Sequence, residues 1–134
     1  MLIPILVGAV LGGLFALLAR RQGDTGELRL LALGLVVTAL IYVGLALAAT
    51  DGRWLVVEAA GLALFAGLAW LGVQSARWWL ALGWAAHVGW DVGLHLDRAQ
   101  PLVGAWYPLF CVGFDLIVAG FLLSGARTTR PSRA

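Results

Sequence analysis

Hydrophobic positions fall into five long, nearly unbroken runs: approximately Leu2 to Ala19, Leu28 to Ala49, Trp54 to Val73, Trp78 to Leu96 and Leu102 to Leu123. Each is long enough to cross a hydrocarbon layer of about 30 Å as a helix. The period-two alternation of a β-barrel is missing, and a helix is the spanning structure that satisfies its own backbone. The pattern therefore predicts an all-α fold, an integral membrane bundle of five transmembrane helices. The polar punctuation is short: "RRQGDTGELR", "TDGR", "QSAR" and "DRAQP". Consecutive helices should form antiparallel hairpins within one domain over 1–126, followed by a basic cytoplasmic tail over 127–134. There is no linker, low-complexity stretch or defensible repeat, and five spans do not suit a two-fold duplication.

Composition agrees: 62% of residues are hydrophobic, 12% are charged and the mean hydropathy is +0.95, far from a soluble domain. Every basic residue is an arginine. With the N-terminus outside, Arg20, Arg21, Arg29, Arg77, Arg127, Arg130 and Arg133 fall inside, and only Arg53 and Arg98 outside. The positive-inside rule then predicts N-out, C-in. The leading "MLIPILVG" lacks the basic segment of a secretory signal and reads as a retained span. The tail "ARTTRPSRA" reads as an orientation signal beside anionic lipid; it is too short for the sustained basic surface that nucleic acid requires. Cys111 is the single cysteine, which rules out an intrachain disulfide and a multi-thiolate zinc site. Its plain reading is a small buried hydrophobe.

The fourth run departs from the lipid-like pattern. "GWAAHVGWDVGLHLDRAQP" places His87, Asp91 and His95 at steps of four residues, a spacing that drifts only about 40° per step on a helix. The three form one stripe, joined by Trp84, while Gly89 and Gly93 fall opposite, where a G-x-x-x-G spacing lets another helix approach. A charged group facing lipid at mid-membrane costs at least about 2.5 kcal/mol, so the stripe should face into the bundle. The fifth run repeats the device in "WYPLFCVGFD" with Tyr107, Cys111 and Asp115, and Pro108 inside it would kink the helix or free a carbonyl. Depth matching brings Glu58, His87, Asp91, His95, Tyr107 and Asp115 together in the outer half. Trp54, Trp70, Trp78, Trp79 and Trp106 fit an aromatic belt, whereas Trp84 and Trp90 lie deeper and would wall an apolar pocket.

Plainer roles compete. His95, with Asp97 and Arg98, fits an interfacial position; Glu58 can snorkel or pair with Arg53; Asp91 can simply bond to a neighbouring helix. Asp115 has no partner nearby in sequence.

"LGWAAHVGWDVGLH" followed by "WYPLFCVGFDLIVAG" resembles the paired signature of DUF6010, a family of small bacterial integral membrane proteins of unknown function. The likeness covers most of the chain. His87, Trp90, Asp91, Tyr107, Pro108, Cys111 and Asp115 match its motif, and Glu58 matches less distinctively. The resemblance implies a multi-pass protein of the bacterial inner membrane but no reaction.

Three function classes stay open. The first is acid–base chemistry on, or binding of, a membrane lipid, isoprenoid or other apolar small molecule. His87, Asp91, Asp115 and Glu58 would be its catalytic residues and Trp84, Trp90, Tyr107 and Cys111 its ligand-binding wall, the tryptophan faces stabilising a cation. The second is a divalent metal site for Zn or Fe using His87, Asp91 and His95; on one helix these span about 12 Å, so other helices must complete it. The third is a proton-coupled carrier or assembly subunit, which with so few spans would need a homo-oligomer.

Overall fold

The computed structural model describes residues 1–96 and 102–125. They are all-helical: α1 is Leu2–Arg20, α2 Gly23–Ala48, α3 Gly52–Gln74, α4 Arg77–Trp90 and α5 Trp106–Gly125, and α4 runs directly into a π-helical segment, Asp91–Leu96. Four helices (α1, α2, α3 and α5) are long and apolar enough to cross a membrane, so the chain is a multi-pass membrane protein. α4 itself has 14 residues, about 21 Å at the α-helical rise, and the π-helical segment adds six more. Asp97, Arg98 and the tail 127–134 lie outside the described residues.

The polar stretch before the second run folds into helix instead of forming a loop. Gly23, at φ +76, takes the left-handed turn that glycine accepts without strain, and α2 starts there, so Glu27 belongs to its first turns. At the next reversal Thr50 carries the positive φ, +53, and the Asp51 side chain caps α3 by accepting from the Arg53 and Trp54 amides at 3.0 and 3.2 Å. Pro108 sits in the first turn of α5, where its missing N–H has no intrahelical carbonyl to bond. The expected kink is therefore unnecessary.

α1 packs on α5, α5 on α4, α4 on α3, α3 on α2 and α2 on α1, closing a ring that α2 and α4 also bridge. The buried face of α1 is built from Gly8, Gly12, Ala16 and Ala19, which lets its backbone press against α5. A β-carbon at Gly8 would run into the Phe110 carbonyl, and one at Gly113 into that of Ile5. Close approach through small residues is what drives helix association in lipid. The expected glycine seam along α4 and the π-helical segment does not form among the described residues: Gly89 and Gly93 are exposed and a β-carbon on either would meet none of them within 4 Å. Outward leucines such as Leu6, Leu14, Leu17 and Leu33 are more than half exposed, as lipid-facing positions should be. The core is Leu31, Leu35, Phe65, Leu80, Trp84, Val118 and Leu122.

Candidate functional site

One end of that core is polar. Tyr42 of α2, Glu58 of α3, His87 of α4, Asp91 and His95 of the π-helical segment and Asp115 of α5 are all buried, none more than 2% exposed. Tyr42 lies eight residues before Thr50 and Glu58 eight after it, so both sit about 12 Å from that reversal. The π-helical turn helps the alignment. Its i→i+5 bonding holds more residues per turn than an α-helix, which counters the four-residue drift and keeps His95 on the buried face with Asp91.

The centre has two halves joined by Tyr42. In the first, His87 Nδ1 donates to Asp115 Oδ2 at 2.8 Å and lies 3.3 Å from Asp91 Oδ2, while the Tyr42 hydroxyl donates to the other Asp91 oxygen, Oδ1, at 2.7 Å. In the second, Trp90 Nε1 donates to Glu58 Oε2 at 3.1 Å, and His95 Nε2 stands 3.2 Å from Glu58 Oε1. The Tyr42 ring stacks on His95 with centroids 4.0 Å apart. Phe65 makes T-shaped contacts with both His87 and Trp90, at 4.8 and 5.6 Å between ring centroids. Tyr107 meets Tyr42 at 5.7 Å and pairs with Cys111, which is itself buried.

Many polar atoms here lack a hydrogen-bond partner among the described residues: Glu58 Oε1, His87 Nε2, Asp91 Oδ2, both His95 nitrogens and Asp115 Oδ1. Each such buried atom costs about 1–3 kcal/mol. Native interiors carry few of them; here Glu58 Oε1 faces His95 Nε2 at 3.2 Å and Asp91 Oδ2 faces His87 Nδ1 at 3.3 Å, which leaves His87 Nε2, His95 Nδ1 and Asp115 Oδ1 with neither a hydrogen bond nor an ion-pair partner among the described residues.

The sequence-predicted set thus converges, with changes. His95 is buried in the centre, and Glu58 pairs with Trp90 and His95 while Arg53 is exposed. The metal triple of His87, Asp91 and His95 does not gather around one point; the compact group is His87, Asp91 and Asp115, with one ligand atom each within 4.8 Å of the others. Trp84 lies one turn away in the apolar core, 6.5 Å from Phe15 and 5.8 Å from Phe114 by ring centroid, so it floors the centre instead of walling a pocket. Tyr42 was missed: it is a lone hydroxyl in "LIYVG", and only its match in depth to Glu58 would have singled it out.

A second polar contact, also unforeseen, lies at the opposite end. Arg77 Nη2 donates to Glu27 Oε1 at 2.8 Å and its Nε to the Leu122 carbonyl at 3.1 Å. They border a cleft of about 240 Å³ shared with Arg20 and Asp24. Between the two polar ends stand Trp84, Leu80, Val118 and Leu122, all fully buried.

A ring of apolar helices around a buried cluster of carboxylates and imidazoles defines a multi-pass membrane protein with a buried polar centre. More particularly, residues 1–128 match the model of a family of unknown function, DUF6010, and the chain belongs to that family. Comparison with curated proteins and with solved structures finds no match.

Proposed function

We propose that this protein crosses the bacterial inner membrane five times, with the α4 and π-helical segments together making the fourth span, the N-terminus outside and the C-terminus inside. In this reading its polar centre lies in the outer half of the bilayer and takes an apolar ligand, a lipid or isoprenoid, on which it performs acid–base chemistry. The observation that carries the reading is the convergence of buried carboxylates and imidazoles, with His87 Nε2, His95 Nδ1 and Asp115 Oδ1 lacking a hydrogen-bond partner among the described residues, beside the aromatic rings of Phe65 and Trp90. Glu58 is the proton-exchanging group: Trp90 holds one oxygen, and the other is free to work with His95. His87, Asp91 and Asp115 hold the charge beside it. A proton delivered to an isoprenoid double bond leaves a carbocation, which the faces of Trp90 and Phe65 would steady.

The apolar floor disfavours a transmembrane proton carrier. From His87 to Leu80, and from Asp115 to Leu122, about 10 Å of helix carries no ionisable side chain. Native mass spectrometry of gently extracted protein tests the reading: one apolar molecule per chain is expected, retained in Glu58→Gln and lost when Trp90→Ala removes the aromatic wall. Protein that carries no such molecule under any extraction contradicts it.

A further inference from the structure

Proton exchange at Glu58 leaves the other half of the centre unexplained. His87 Nδ1 lies 2.8 Å from one carboxylate oxygen and 3.3 Å from another. Donor atoms around a tetrahedral zinc with bonds of about 2.0–2.1 Å stand about 3.3 Å apart, so small side-chain movements would fit an ion among them. Once His87 gives up its Nδ1 proton to ligate, the two carboxylates facing it carry the two negative charges that a divalent cation balances. Asp91 Oδ2 and Asp115 Oδ1 are buried without a hydrogen-bond partner among the described residues. Tyr42 occupies only the far oxygen of Asp91, which turns Oδ2 toward His87, as the outer partner of a metal-ligating carboxylate does.

We propose that His87, Asp91 and Asp115 bind one divalent first-row transition ion, with Tyr42 as the residue that orients Asp91. Mixed imidazole and carboxylate donors suit zinc, iron or manganese, and at such a site zinc binds more tightly than manganese. Three protein ligands leave a position open, as catalytic sites do. This deepens the proposed function and rests on it: the ligand would be an apolar molecule bearing an oxygen donor, such as an alcohol or carbonyl, whose oxygen takes the open position while Glu58 and His95 exchange the proton. His95 stacks on Tyr42 and pairs with Glu58, so it is not a ligand.

The test is titration of chelator-stripped, nanodisc-embedded full chain with Zn²⁺, followed by zinc-edge X-ray absorption on the wild type. One saturable equivalent with a single imidazole in its shell is expected. Asp91→Asn and Asp115→Asn should each weaken binding more than tenfold, Tyr42→Phe about tenfold, and His95→Gln less than twofold. No saturable binding, two imidazoles in the shell, or unchanged affinity in both Asn variants would overturn the site. The absorption spectrum needs no variant, so a misfolded mutant leaves the answer intact. Native mass spectra of the stripped protein separate the two readings: a retained apolar molecule without zinc binding sinks the metal alone, and zinc binding without any apolar molecule sinks the ligand reading instead.

Discussion

The centre depends on single atoms more than on bulk. The Tyr42 hydroxyl is the hydrogen-bond donor to Asp91 Oδ1; Tyr42→Phe removes it and leaves a second Asp91 oxygen unpaired in a buried setting. The expected cost is about 1–3 kcal/mol, read as a lower thermal midpoint in detergent. Glu58→Gln is the opposite case, since an amide oxygen can still accept from Trp90 but the group no longer exchanges a proton. Fold and ligand should persist while turnover disappears, and a fully active Gln variant would remove Glu58 from the chemistry. Four-residue spacing made His87, Asp91, His95, Cys111 and Asp115 legible, because one helix dictates which of its residues share a face. Tyr42 and the Glu27–Arg77 pair were not legible that way: their partners lie 49 and 50 residues away, on other helices, and no local period reports such a contact.

At the scale of elements, hydropathy located the helices because lipid leaves the backbone no alternative, but it did not say which faces meet. Two glycine patterns show the difference. Gly89 and Gly93 have the spacing of a contact seam yet face outward, while Gly8, Gly12 and Gly113 join α1 to α5. Gly113→Leu should therefore push α1 off the bundle and sharply lower the yield of folded protein, whereas Gly89→Leu should leave it near wild type; equal losses would contradict this packing. Gly61 has a more local task. A β-carbon there would stand 2.6 Å from the Trp90 indole, so Gly61→Ala should shift Trp90 away from Glu58, visible as a change in tryptophan fluorescence that Gly67→Ala, in open space, does not produce. The π-helical turn was not legible from the sequence, since the stripe reads equally well on an α-helix.

For the whole molecule, the ring of five helices closes one polar end over an apolar floor, and orientation decides which side of the membrane that end faces. The arginine asymmetry predicts that it faces outward. Reporter fusions at Ala134 and within Thr50–Arg53 should report a cytoplasmic C-terminus and an exterior loop; the reverse result would place the centre in the inner half. The central claim is that this centre moves a proton to or from carbon on a bound apolar molecule. It is tested most directly by equilibrating the purified wild type and Glu58→Gln proteins in deuterated buffer, then extracting and weighing the bound molecule. The account predicts deuterium fixed at carbon in the molecule from the wild type and none in that from the Gln variant. Equal deuterium content in the two, or an unlabelled molecule in both, would contradict it.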